Sequence, residues 1–276
     1  MWLLAAVGTA LCFGVNNTLF KWSTSKRLSK ISIQFFFYLV AFILVLSYGI
    51  FNDAFHFSWL SIMIGVIAGV LNANGNIQMT KAFEKGPASI TSILIATNAI
   101  IPVLAASLFF PESILFVQWV GIALMIGAAV VVQYQPGNGG SLEYRPWMTR
   151  VALSLLSFGF VGILMKMSTI EHIHLLDMLL SMYGGGLVYL LFFIGRQSVR
   201  LMEIKISIIV GALSIIGFSC YMFALQTGPA SIIFPIISLN CMVVMIAGLL
   251  IFKERLRAHQ FIGITVALIG LVLAKL

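Results

Sequence analysis

Gly86-Pro87-Ala88-Ser89-Ile90 returns 142 residues later as Gly228-Pro229-Ala230-Ser231-Ile232, and this repetition decides the fold. Outward from it, residues 69–131 align without a gap onto 211–273, with 19 identities in 63 positions. Downstream, Asn98, Ala105, Phe110, Glu112, Gln118 and Gly121 meet Asn240, Ala247, Phe252, Glu254, Gln260 and Gly263. Upstream, Gly69, Gly75 and Ala82 meet Gly211, Gly217 and Ala224. Unrelated apolar segments would coincide at roughly one position in ten, so the chain reads as an internal duplication. Apolar composition alone does not produce the match, because Gly-Pro, Asn, Glu and Gln are not filler in such segments.

The 276 residues are 61% hydrophobic and 9% charged, with a mean hydropathy of +1.09. A soluble domain covers its surface with about a quarter charged residues, so here the bilayer is the expected solvent. In hydrocarbon every backbone N–H and C=O must be paired internally, which leaves helices or closed barrels. The apolar runs are about 20 residues long and do not alternate strictly, which predicts helices. Charged and Pro/Gly-rich interruptions divide the chain into ten expected spans, near 2–22, 32–51, 58–80, 87–110, 114–133, 147–168, 175–194, 204–226, 229–252 and 257–275. The first span has no positive leader and nine spans follow it, so it reads as a helix and not as a cleaved signal. The predicted fold is an all-α membrane protein with ten transmembrane helices in a 5+5 inverted repeat. Residues 1–135 form the first five-helix unit, 147–276 the second, and 136–146 a Gly-rich linker.

The inversion follows from parity. Five spans per copy start the second copy on the opposite side of the membrane. The first helices agree, since Phe13-Gly14, Lys21 and Ser23-Thr24 recur as Phe158-Gly159, Lys166 and Ser168-Thr169. Inverted repeats characterise secondary transporters, because two similar halves have two packings of comparable energy, one open to each side. Of the 16 Lys and Arg residues, all except Lys166 and Lys275 fall on or beside alternate connections. By the positive-inside rule this places both termini outside a cell (plasma or inner) membrane. The net charge of +8 therefore orients the protein and does not imply a nucleic-acid partner. Cys12, Cys220 and Cys241 lie within spans and read as small apolar residues. Trp2, Trp22, Trp59, Trp119 and Trp147 lie near span ends and read as interfacial anchors.

A Gly-Pro-Ala-Ser helix start, an apolar span, and then Glu followed by x5-Gln-x2-Gly-Ile occurs once per half. This pattern resembles the EamA family of the drug/metabolite transporter superfamily, over nearly the whole chain. The family usually has Gly before the Glu, whereas here the pairs are Pro111-Glu112 and Lys253-Glu254. The resemblance implies ten helices, a central cavity lined chiefly by spans 1, 3, 4, 6, 8 and 9, and export or exchange of small metabolites. It also implies cytoplasmic termini, against the charge distribution.

Span 3 carries four amides, Asn72, Asn74, Asn76 and Gln78. Asn72 and Asn76 share a face with Gly65 and Gly69, where small residues allow close helix approach; Asn74, Gln78 and Lys81 share the opposite face. Packing between helices uses fewer amides than this, so some are expected to line a polar cavity. Asn16 and Asn17 lie one turn before Lys21, and polar groups at depth generally face the bundle interior. Asn98 and Asn240 are equivalent under the repeat, half-way along spans 4 and 9, and either line the cavity or bond to each other or to a facing backbone carbonyl. These eight amides are the candidate substrate-binding residues. Lys21 and Lys166 either snorkel to the headgroups or act in gating or anion contact. Pro87 and Pro229 suit a first helical turn, and Glu112 and Glu254 suit the starts of spans 5 and 10. No standard metal motif occurs around His172 and His174, so no metal or cofactor is expected.

All eight acidic residues lie in connections or at span edges, so no carboxylate relay for protons is visible at mid-membrane. The expected activity is movement of a small polar or amphipathic metabolite, amino-acid-like or similar, by rocking the halves around an amide-lined cavity. The competing class is a non-transporting membrane subunit or scaffold with a dry interior. A lipid-acting enzyme is disfavoured by the absence of HExxH, GxSxG or a paired acid and base. Homodimerisation is left open.

Overall fold

In the computed structural model the described residues are 1–109, 115–133, 144–195, 199–253 and 258–273. They form α1 (Trp2–Ser25), α2 (Lys30–Phe51), α3 (Trp59–Lys85), α4 (Ala88–Ala96), a 3-10 turn (Thr97–Ala99) and α5 (Ile100–Phe109). These are followed by α6 (Phe116–Gln133), α7 (Tyr144–Ile170), α8 (Leu175–Leu191), α9 (Leu201–Thr227), α10 (Ala230–Ser238), α11 (Asn240–Leu250) and α12 (Ala258–Leu273). No strand occurs among the described residues. Where the sequence leads us to expect ten spans, seven helical segments among the described residues are long and apolar enough, by length and composition, to cross a membrane; α8, with 17 residues, is apolar but shorter. Large apolar side chains such as Leu4, Ile43, Phe160, Ile209 and Phe261 lie exposed on the outside, as lipid-facing residues do.

Three sequence expectations need correction. Spans 87–110 and 229–252 each carry a local break in the α-helical hydrogen-bond ladder, with helical backbone on both sides. The first breaks at Thr97–Ala99 because Pro102 has no N–H for the Asn98 carbonyl and its ring crowds that oxygen. The second breaks at Leu239, whose N–H bonds back only three residues to Ile236, while Asn240 Nδ2 takes the Ile237 carbonyl at 2.9 Å. Span 147–168 begins earlier than expected, since α7 starts at Tyr144 and includes Arg145-Pro146; residues 136–143, like Glu112 and Glu254, lie outside the described residues. Trp147, finally, is not an interfacial anchor. It is buried, with its indole against Gly86 and Nε1 donating to Thr91 Oγ1 at 3.1 Å.

The helices of the two halves interlock. α3 packs between α7 and α8, and α9 packs between α1 and α2. Small residues permit this. A methyl at Gly69 would lie 1.9 Å from the Met182 carbonyl, and one at Gly65 2.4 Å from Ser181 Cβ. The repeat-related Gly211 faces the Phe37 carbonyl, and Gly75 and Gly217 face the rings of Phe158 and Phe13. Helix directions follow from these contacts. The end of α1 meets the end of α3, since Lys21 reaches Phe83 and Gly86, so these two run parallel. The start of α7 meets the end of α3, since Trp147 covers Gly86, so these run antiparallel. Equivalent helices α1 and α7 therefore point in opposite directions.

Polar ties fasten loops across the interlock. Glu203, buried at the start of α9, accepts from the Ser29 N–H at 2.8 Å and the Arg200 N–H at 3.2 Å. Asp177, buried at the start of α8, accepts from the His56 N–H at 3.1 and 3.2 Å. Both carboxylates lie where a helix N-terminus favours negative charge.

Gly69→Ala is expected to destabilise the protein by about 1–3 kcal/mol through overpacking against α8. Gly127→Ala, where an added methyl meets nothing within 4 Å, should cause no loss. Thermal unfolding of the two variants in detergent checks the contrast.

Candidate functional site

The two helix breaks face one internal cavity of about 120 Å³, which is room for several waters or part of a small metabolite. Asn98, in the 3-10 turn, and Asn240, at the start of α11, both line it. From α1 come Phe13, Asn16, Asn17 and Phe20; from α3, Asn72 and Asn76. The opposite side is built by Phe158, Val161 and Gly162 of α7, Ser214, Phe218 and Tyr221 of α9, and Phe234 of α10. Thus α1, α3, α4/α5, α7, α9 and α10/α11 supply most of the wall, in keeping with what the family resemblance implies. None of the described residues that line it carries a charged side chain.

The repeat makes the wall two-sided. Asn16 and Asn17 correspond to Val161 and Gly162, Asn72 and Asn76 to Ser214 and Phe218, and Ser92 to Phe234, and all ten residues line the cavity. The first half presents amides and a hydroxyl where the second presents mainly apolar groups. Asn98 and Asn240 remain polar on both sides.

The amides are held in place. Asn72 Nδ2 donates to the hydroxyl of the fully buried Tyr38 at 2.6 Å. Asn17 Nδ2 donates to Asn240 Oδ1 at 3.4 Å, so Asn240 pairs with Asn17 and not with Asn98. Asn16 Nδ2 reaches the Val210 carbonyl at 3.4 Å, but its Oδ1 has no partner although the residue is 5% exposed. A buried amide oxygen left unpaired costs free energy unless water or a ligand donor meets it.

Asn74 and Gln78 lie elsewhere. They are on the far face of α3, where Asn74 Nδ2 donates to Ser157 Oγ at 2.9 Å and Gln78 Nε2 donates to Asn74 Oδ1 at 3.1 Å. Lys21 does not snorkel outward. Its Nζ donates to the carbonyls of Phe83 (3.0 Å) and Gly86 (3.3 Å), capping the end of α3. Lys166 is half-buried near the end of α7. Among the described residues no group of three or more His, Cys, Asp or Glu side chains could hold a metal ion.

Sequence reading did not pick out the aromatic part of the wall or the Tyr38 support. The recurrence of Phe13 as Phe158 carried a signal for the aromatics. So did that of Trp2 as Trp147, whose rings cover Gly228 and Gly86 where α10 and α4 begin.

A family profile described as the EamA-like transporter family matches residues 1–134 and 145–276. No curated protein matches the sequence. One solved structure, titled only as a crystal structure of a protein, superposes with a TM-score of 0.70 at 12% sequence identity, covering 97% of this chain and 98% of that one. At that identity the likeness shows the fold alone.

Tyr38→Phe removes the acceptor behind Asn72 and leaves a buried amide donor unmatched. A loss of about 1–3 kcal/mol in unfolding stability is expected, measurable by thermal or denaturant unfolding in detergent.

Proposed function

Because the chain belongs to the EamA-like transporter family, we propose that it is a ten-span, 5+5 inverted-repeat secondary transporter that moves a small amphipathic metabolite by alternating access. The observation that carries this reading is the two-sided cavity at paired helix breaks. Broken helices at a repeat interface are where inverted-repeat transporters build their sites, because freed backbone and polar side chains there can meet a ligand. The antiparallel course of α1 and α7 supports the inversion.

The lining supports the substrate class. Amides beside apolar and aromatic side chains, with no charged side chain among the described lining residues, suit a neutral or zwitterionic cargo. Its polar end faces Asn16, Asn17, Asn72 and Asn76, and its apolar part faces Val161, Phe218 and Phe234. The unpaired Asn16 Oδ1 calls for a hydrogen-bond donor such as an amine or hydroxyl. Asn98 and Asn240 bracket the ligand at the breaks. Asn74 and Gln78 are outside this site. Lys21 ties α1 to the α3–α4 corner as a latch, and Lys166 occupies the equivalent end of α7.

The interlock changes which bodies move. α1 and α2 carry α9, and α7 and α8 carry α3, so the rocking units exchange one helix each. Export or exchange fits the family, and the basic connections favour termini outside a cell membrane.

Purified protein in liposomes should show saturable uptake of at least one member of a panel of amino acids and related amphiphiles. Asn16→Val, which copies the second-half residue, should raise KM about three- to tenfold, the worth of one ligand hydrogen bond, with insertion unchanged. Unchanged kinetics would sink the site. Absence of saturable flux, together with no labelling of Asn98→Cys from either side in a background without native cysteines, would favour a scaffold.

A further inference from the structure

Outside the cavity, part of the surface that α3 presents is a stripe of Val66, Val70, Asn74, Gln78 and Lys81, spaced so that they share one face, with α7 and α8 packed on the same helix. At one end Val66 and Val70 join Phe42, Gly184, Gly185 and Val188 in an open groove of about 430 Å³ on the outer surface. Neighbouring Leu153, Leu156, Phe192 and Phe193 are exposed, as lipid-facing side chains are.

Toward the other end the stripe turns polar. The Tyr189 hydroxyl, which also lines the groove, donates to Asn74 Oδ1 at 3.3 Å, and Gln78 Oε1 accepts from Arg150 Nη1 at 2.8 Å. Arg150 has no carboxylate partner among the described residues. Lys81 lies within reach of the charges of Arg150 and Lys30, while the nearby Glu84 is engaged by Lys30 at 2.6 Å. Polar and charged groups on a hydrocarbon-facing surface are costly and mark function by default.

We infer that this face binds one anionic phospholipid from the leaflet on the basic side. Its phosphate sits at Arg150 and Lys81, its glycerol and ester region along Gln78 and Asn74, and one acyl chain in the groove over Val66, Val70 and Val188. The polarity of the stripe runs in the order of a lipid's own parts. The dimensions agree as well. Val66 to Lys81 spans about 22 Å of helix, and one leaflet with its headgroups is roughly 20–22 Å thick. The Gln78 bond fixes the guanidinium and leaves its other N–H groups for phosphate, where Arg can bind with two parallel bonds. The site is separate from the cavity, from which Asn74 and Gln78 point away.

Native mass spectrometry of the full chain in detergent, with phosphatidylglycerol or phosphatidylcholine of the same chains added, tests the assignment. Phosphatidylglycerol should be retained in preference to phosphatidylcholine. Arg150→Gln and Lys81→Gln should each lower its retention about fivefold, and Val188→Trp, which fills the groove without touching charge, should lower retention of either lipid. Asn16→Val should leave lipid retention unchanged. Equal retention of the two lipids would overturn the assignment, as would wild-type retention by the Gln variants or displacement of the lipid by free glycerol phosphate. If Arg150→Gln does not fold, Lys81→Gln decides the same point.

Discussion

The close approach of α3 to α8, and of α9 to α2, is the contact on which the rest of this structure depends. Gly69 meets the Met182 carbonyl and its repeat partner Gly211 meets the Phe37 carbonyl, so backbone lies against backbone. In lipid there is little hydrophobic force between helices, and van der Waals contact at small residues drives association instead. Because each of these helices is inserted between two helices of the other half, the halves cannot be separated as rigid blocks. Both exchanged helices line the cavity, α3 through Asn72 and Asn76 and α9 through Ser214, Phe218 and Tyr221.

A symmetric scaffold surrounds an asymmetric site. The corners at Gly86 and Gly228, each covered by an indole, and the breaks at Asn98 and Asn240 occur in both halves. Between them the wall differs, with amides from the first half and mainly apolar groups from the second. In the proposed transport cycle, the symmetry would supply the two packings of similar energy that alternating access requires. Under the proposed function, this asymmetry would give a cargo one preferred orientation, because a polar group turned toward Val161 and Phe218 would lose its hydrogen bonds without compensation.

Much of this was legible in the chain because repetition and periodicity are local. The Gly-Pro corners and the packed Gly65/Gly69 face are placed by spacing alone. Asn74 and Gln78 show where that reasoning stops. Helical phase distinguishes the two faces of α3, but it cannot tell which face meets the cavity when the faces carry the same kind of side chain. The Gly65/Gly69 face, expected to be packed, continues into the cavity at Asn72 and Asn76, and the other amide face turns outward toward α7 and α8. Trp147 fails for a similar reason. An indole near a span end suits an interface equally well in sequence, and only its neighbours Gly86 and Thr91 reveal that it is inside.

The sequence by itself determined the solvent, the helical class and the duplication, because composition and repeat are properties of the chain before it folds. Pro102 removes one N–H from the helical ladder of the first half, but the structure shows that the defect lies at Thr97–Ala99. Tertiary structure alone decided which half each helix packs into, which amides share a cavity, and that Lys21 turns inward to cap α3. Those outcomes depend on contacts between residues far apart in the chain, from 34 positions for Tyr38 and Asn72 to 223 for Asn17 and Asn240. Their energies come from close packing and buried hydrogen bonds that no local pattern encodes.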